Sequence, residues 1–340
     1  MRKKLIKNIV FFLILFVLTF IFIISKGKSE NILSIITSFN IWYLIIGVLL
    51  MGIFICCEAV NIKILLSSLG YKVSFLNTVK YASVGFFYSG ITPSASGGQP
   101  MQIYHMKKDG IDFSHSLISL LIIICSFQLI SLFYMVIGVI YNKDYLLDTL
   151  NHIGILFIIG ILLNAIVLAI LMSIIFIPKS SDFTLKIVNK IINKVNIQSK
   201  ENVIKKIEEE INQYKNSSIY IKNNKKIFIR VILVTVLQFT AAYSISFVTY
   251  KSFGFSELPY FKLLTLQAVL FSSISSIPLP GGIGISEIGY EALYLPIFGS
   301  KIKNAVLMTR ACNFYIMIII TCIISIIAYI QKPKIARKKD

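Results

Sequence analysis

Apolar residues in this chain come in long blocks rather than in alternation. Residues 10–24, 41–57, 117–140, 153–177, 227–248 and 305–330 are nearly free of charge. Most are long enough, or nearly so, to cross a ~30 Å hydrocarbon layer as a helix rising 1.5 Å per residue. Spanning strands would alternate polar with apolar positions and leave backbone groups unpaired in lipid. The pattern therefore predicts an all-α integral membrane protein, a single polytopic domain over 1–340.

Two further regions are apolar but interrupted. In 80–112 the break is Thr92-Pro93-Ser94-Ala95-Ser96-Gly97-Gly98-Gln99-Pro100, and in 263–300 it is Ile277-Pro278-Leu279-Pro280-Gly281-Gly282-Ile283-Gly284. Proline and paired glycines stop a helix, so each region reads as two short helices around a break. The expected architecture is about six full spans plus two Pro/Gly-broken re-entrant hairpins, or eight spans if both regions cross twice.

Lysine and arginine in the flanking segments set the expected orientation. Arg2, Lys3, Lys4 and Lys7 precede the first block, and Lys332, Lys334, Arg337, Lys338 and Lys339 follow the last. Both termini are expected in the cytoplasm of a multi-pass cell-membrane protein, together with the basic loop 178–226. The order then reads span, span, broken hairpin, span, twice over: 8–142 begins inside and 152–331 begins outside. That is an inverted-topology repeat, in which broken helices at corresponding positions point to a midplane binding site. Within the loop, Ile187, Val188, Ile191, Ile192 and Val195, then Val203, Ile204, Ile207 and Ile211, keep a helical period. They predict two amphipathic basic helices on the cytoplasmic face, suited to anionic headgroups.

Composition adds little to this and removes much. The chain is 56% hydrophobic with a net charge of +19. Because the positive charge borders membrane blocks, it argues for membrane surface and against nucleic acid. Cys56, Cys57, Cys125, Cys312 and Cys322 lie in apolar segments without metal-ligand spacing, and His105, His115 and His152 are scattered. No metal or cofactor is expected, and no covalent catalytic motif is visible. After residue 24 the chain runs Ser25-Lys26-Gly27-Lys28, which favours an uncleaved anchor over a signal peptide.

The chemistry rests on charges at membrane depth, which are costly and usually functional. Glu287 and Glu291 follow the second break by one and two turns, and Arg310 opens the last block. A Glu287–Arg310 pair would neutralise both groups and tie the break to the last span. Glu58 is expected to pair with Lys63 at the end of the second span. Helices beginning after Gly98, with Pro100 in the first turn, and after Gly282 would present free N–H groups to a phosphate or carboxylate. With Gln99, Lys107 and Arg310, these ends could hold an anionic phospholipid headgroup.

The runs Ser96-Gly97-Gly98-Gln99-Pro100-Met101-Gln102-Ile103-Tyr104, Lys107-Lys108-Asp109-Gly110 and Pro278-Leu279-Pro280-Gly281-Gly282-Ile283-Gly284-Ile285-Ser286-Glu287, with Arg310 downstream, resemble the membrane domain of the lysyl-phosphatidylglycerol synthase (multiple peptide resistance factor) family, described as flippase-like. The resemblance implies translocation of an anionic or aminoacylated phospholipid such as lysyl-phosphatidylglycerol. Gly97, Gly98, Gln99, Pro100, Lys107, Pro280, Gly281, Gly282, Gly284, Glu287 and Arg310 are then the expected substrate-binding residues. The family's aminoacyl-transfer step belongs to a separate cytosolic domain, and this sequence ends at Asp340. Lysine transfer from lysyl-tRNA is therefore an alternative that would need a partner, such as a separate aminoacyl- or glycosyltransferase. Proton-coupled transport of a small solute, with Glu287 carrying the proton, is another.

Overall fold

The computed structural model describes residues 40–149, 154–176, 200–275, 277, 279–331 and 337–338. The expected span 10–24 and the helical period at 187–195 lie outside the described residues. Within them the chain is helical apart from one short strand pair.

Helix α1 (Ile41–Ser68) starts where the side chain of Asn40 accepts the Trp42 N–H, 3.0 Å away. After the two-residue strand β1 (Tyr71–Lys72), Ser74 caps α2 (Phe75–Ile91). A 3-10 turn (Pro93–Ala95) and the short helix α3 (Gly98–Lys108) complete the first broken region. Helices α4 (Phe113–Tyr141), α5 (Lys143–Thr149), α6 (Gly154–Phe176), α7 (Lys200–Asn223) and α8 (Lys225–Ser252) follow. The second broken region is α9 (Tyr260–Ile274), a 3-10 turn (Pro280–Gly282) and α10 (Ile285–Phe298). After a 3-10 turn at Gly299–Lys301, α11 (Ile302–Arg310) passes through a π turn (Ala311–Tyr315) into α12 (Ile316–Ile330). Strand β2 (Arg337–Lys338) pairs antiparallel with β1, Tyr71 facing Lys338.

Among the described residues, four stretches are long and apolar enough to cross a membrane: α1, α4, α8 and the run Pro280–Ile330. Helix α6 contributes the apolar stretch Ile158–Ser173, and α9 is apolar but shorter. At 1.5 Å per residue, α2, α3, α9 and α10 rise only about 16–26 Å each, so no one of them fills a bilayer. They are arms of broken segments, as the Pro/Gly interruptions predict.

The polarity is arranged inside out. Trp42 and Leu49 on α1, Ile158, Leu162 and Ile166 on α6, and Ile319, Ile323 and Ile330 on α12 stay exposed at helical spacing. Asn61, Gln238, Ser131, Thr265 and Ser272 are buried. An exposed apolar belt around a buried polar interior matches lipid as the surrounding solvent. Helices approach closely at small residues. A Cβ on Gly160 of α6 would lie 2.0 Å from the Ser273 carbonyl oxygen of α9, and one on Gly138 of α4 would lie 2.6 Å from that of Thr265. Asn142 ties the second contact, donating to the Gly138 carbonyl and to Thr265 Oγ1 at 2.9 Å each.

Helices α1 and α8 form the most extensive pair and run antiparallel, α2 packs on α12, and α9 packs on α4. The two 3-10 turns of the broken regions touch each other. Helix α7 extends past the apolar positions expected for it, to Asn223, and packs against α4, α6 and α8. Its Gln213 donates to Asp112 Oδ2 (2.9 Å) and accepts from Ser114 Oγ (2.7 Å). Tyr71 Oη reaches the same cluster, 2.7 Å from Asp112 Oδ2 and 2.9 Å from His115 Nδ1. The loop helix is thus docked by polar contacts, beyond what a headgroup-facing amphipathic surface requires.

Candidate functional site

At the first break, Pro93 ends α2 and the chain folds back on itself. Thr92 Oγ1 donates to the Tyr88 carbonyl (2.6 Å) and accepts the Gly97 N–H (2.9 Å). Ala95 takes a positive φ of 53°, an unusual conformation for a residue with a Cβ. Gly97 then caps α3, and Pro100 sits in its first turn, where a missing N–H costs nothing. Gly98 is required by contact: a Cβ there would lie 2.0 Å from Ser89 Oγ and 2.9 Å from the Gly85 carbonyl oxygen. Gly97 and Gln99 are half-buried, and Ser96 and Pro100 are exposed, so this helix start is reachable from outside the packed core. Its first turn contains no acidic residue.

The second break is built differently. Gly281, Gly282 and Gly284 have φ of 58°, 63° and 87°, left-handed values that glycine adopts without strain. The helix begins at Ile285 rather than directly after Gly282, with Gly284 as its cap. Glu287 turns back over this start, and its Oε2 accepts the Gly284 N–H at 2.6 Å. Its Oε1 lies 2.7 Å from Arg310 Nε, and both residues are more than nine-tenths buried. The Nε–H is not aimed along that line, so the contact is an ion pair rather than a linear hydrogen bond. Arg310 Nη2 donates to the Gly281 carbonyl at 3.0 Å, and the guanidinium lies over the Phe314 ring, 4.6 Å from its centroid. The expected pair exists. It also fills the second helix start with a carboxylate of the protein itself, so the two helix starts are not equivalent as anion sites.

The two breaks meet. A Cβ on Gly281 would fall 2.2 Å from Phe314 Cζ and 3.1 Å from the carbonyl oxygen of Gly90, the penultimate residue of α2. Phe314 and Ile318 pack with Phe87 and Ile91, joining the π turn to the end of α2. Gly97, Gly98, Gln99 and Pro100 thus lie on one side of this junction, and Pro280, Gly281, Gly282, Gly284, Glu287 and Arg310 on the other.

Lys107 does not belong to it. It is exposed at the opposite end of α3 from Gly98, about 14 Å along the helix axis. Its neighbour Lys108 caps the end of α12, donating to the carbonyls of Ala328 (3.3 Å), Tyr329 (3.1 Å) and Gln331 (2.8 Å). Glu291 is exposed on α10 and takes no part in the ion pair. Glu58 turns inward instead of toward Lys63: its Oε1 accepts from Gln102 Nε2 at 2.8 Å. The Gln102 side chain passes over Gly85, where a Cβ would come within 2.3 Å of Nε2. A Lys80–Asp109 ion pair, with Tyr81 Oη donating to Asp109 Oδ2 at 2.7 Å, staples α2 to the end of α3. Sequence reasoning does not single out Gln102, Lys80 or Asp109 as determinants. Gln102 and Asp109 fall within the runs that carry the family resemblance, and Lys80 is marked only by its position in the broken region.

Comparison with known proteins agrees with this architecture. The family model described as "Lysylphosphatidylglycerol synthase TM region" matches residues 7–321. A UPF0104 membrane protein of Archaeoglobus fulgidus is 26% identical over 279 residues, covering 80% of this chain and 82% of that one. Another, from Pyrococcus horikoshii, is 22% identical and covers 84% of this chain and 87% of its own length. No solved structure matches this chain.

Proposed function

Because this chain belongs to the lysylphosphatidylglycerol synthase transmembrane-region family, we propose that it is a lipid flippase carrying an anionic or aminoacylated phospholipid, such as lysyl-phosphatidylglycerol, between leaflets. The observation that carries the reading is the junction of the two breaks, with Arg310 buried beside it. A headgroup phosphate is held at the open start of α3 by the N–H groups of its first turn and by Gln99. Arg310 is a second ligand in reserve. It is neutralised by Glu287 while the site is empty and turns to the phosphate when a headgroup arrives, leaving Glu287 on the Gly284 N–H.

An inverted repeat would supply the alternating motion this requires. Helix α2 of the first half packs on α12 of the second, α9 of the second half packs on α4 of the first, and α1 meets α8. Such reciprocal pairing is what two inverted halves around a pseudo-two-fold axis produce, and it lets one half rock against the other. In this reading both termini lie in the cytoplasm, and any aminoacyl or glycosyl transfer falls to a separate partner.

Reconstitution into liposomes, with leaflet-resolved assay of lysyl-phosphatidylglycerol and other anionic lipids, tests the proposal. Accelerated transbilayer movement of such a lipid is expected. Uptake of a soluble solute with no accelerated movement of any lipid would overturn it.

A further inference from the structure

We propose that Glu58, Asn61 and Gln238 form a site for one monovalent cation, a proton or a sodium ion, inside the helix bundle. The register of α1 against α8 is fixed by two contacts. Asn61 Nδ2 donates to Thr235 Oγ1 at 3.1 Å, and the rings of Phe54 and Phe239 lie 6.4 Å apart, edge to face. In these antiparallel helices, Glu58 precedes Asn61 by about one turn and Gln238 follows Thr235 by about one turn. Glu58 and Gln238 therefore occupy the same level. Met51, Ile55, Ile62 and Leu65, on the same face of α1 as Glu58, are all buried, so its carboxylate points into the protein.

Glu58 is half-buried, and the residues that the register brings to its level are polar but uncharged. Gln238 is 1% exposed, and neither atom of its amide has a hydrogen-bond partner among the described residues. Asn61 is fully buried, and its Oδ1 has none either. Buried amides are rarely left unpaired, and the register places both residues within about one turn of the level of Glu58. The carboxylate accepts one bond, from Gln102. No described Lys, Arg or His forms an ion pair with it.

The contrast with Glu287 is direct, because that carboxylate has both a guanidinium and a helix N–H. A carboxylate without a countercharge at membrane depth recruits a positive charge or protonates. Oxygen atoms from Glu58, Asn61, Gln238 and Thr235 are the hard donors a small alkali cation takes, and Glu58 alone suffices for a proton. This relocates proton coupling from Glu287 to Glu58. Among titratable groups on the neighbouring elements, Lys80 and Asp109 neutralise each other, Tyr81 donates to Asp109, and Lys63 and Arg230 are exposed. Cys125 and Cys312 are thiols, and His105 follows Gln102 by one turn on α3.

Gln102 belongs to the helix whose start forms the first break, so a change of charge at Glu58 acts on the grip between α1 and α3. That coupling step rests on the flippase reading, whereas the cation site does not. The test uses the full chain in lipid nanodiscs and follows the carboxyl band by infrared difference spectroscopy while pH is varied without sodium. A band that titrates in wild type and His105→Gln, and is lost in Glu58→Gln, is expected. Its displacement by sodium chloride at fixed pH identifies sodium, and indifference to the salt identifies the proton. A band unchanged in Glu58→Gln overturns the site, as does the absence of both a band and sodium binding.

Should Glu58→Gln fail to fold, Gln238→Leu keeps the carboxylate and should shift the titration midpoint or the sodium affinity at least tenfold. No shift there removes Gln238 from the site. In liposomes, wild-type flipping should respond to a proton or sodium gradient, and Gln238→Leu should lose that response. Gradient-independent flipping by the wild type overturns the coupling. Absence of any flipping counts against the flippase reading instead and leaves the infrared result to decide the cation site.

Discussion

Arg310 holds Glu287 and the Gly281 carbonyl at once, so a single guanidinium joins the end of α11 to the turn of the second break and to the helix start that follows it. Removing one partner of a buried pair leaves the other charge stranded, at a cost of about 3–5 kcal/mol. Arg310→Ala and Glu287→Gln should each lower thermal stability in detergent. Both should also reduce lipid flipping by at least tenfold in whatever fraction inserts normally. Undiminished transport by normally inserted protein would take these two residues out of the mechanism.

The glycines of the second break separate two physical costs. Gly281 combines a φ of 58° with a wall, since its Cβ would strike Phe314, whereas Gly284 has a φ of 87° and nothing within 4 Å. Gly284→Ala should cost only backbone strain, about 1–3 kcal/mol, because its ψ of −55° lies outside the left-handed helical well. Gly281→Ala should add an overpacking term of about 1–3 kcal/mol. Replacing Phe314 by Ala in the Gly281→Ala background should return the packing part but not the strain, as read from unfolding midpoints of the four proteins.

Close helix approach makes a parallel prediction elsewhere. Gly160→Val on α6 would push a branched side chain into the Ser273 carbonyl of α9 and should destabilise strongly. On α1, a methyl group added at Gly52 would meet nothing within 4 Å, so Gly52→Ala should be neutral or stabilising by up to about 1 kcal/mol. Thermal unfolding distinguishes the two, and equal effects would refute the claim that contact sets the requirement.

Helix α7 is docked through Gln213, Asp112, Ser114 and Tyr71. Gln213→Ala should loosen it and speed tryptic cleavage among its lysines several-fold, while leaving the global unfolding midpoint nearly unchanged. Cleavage at the wild-type rate would show that the Gln213 contacts do not hold this helix.

Most of the scaffold is legible in hydropathy, because lipid rewards long apolar runs whatever they pack against. The expected blocks at 41–57, 117–140, 153–177 and 227–248 all fall within α1, α4, α6 and α8, give or take a residue at the ends of α6. Pro93 and Pro280, with their paired glycines, mark both breaks, since the backbone at these positions cannot continue a helix. The Glu287–Arg310 pair is foreseeable for an equally local reason: two opposite charges in apolar surroundings need each other. Glu58 is not. Lys63 is its nearest cation in sequence, but it faces out of the bundle, and only the folding back of α3 supplies Gln102. Lys107 and Lys108 are likewise indistinguishable as sequence, and the geometry of α12 decides that the second is structural. The π turn after Arg310 carries no proline or glycine to announce it.

Lys108 has one more consequence. By gripping the terminal carbonyls of α12 it fastens α3 to that helix at a single end, while the other end of α12 meets the junction of the breaks through ring edges and glycines. A rod pinned at one end is a lever. Helix α12 is about 22 Å long, so a tilt of about 5° at the pin sweeps its far end through about 2 Å, next to the place where the Phe314 ring lies close against Gly281.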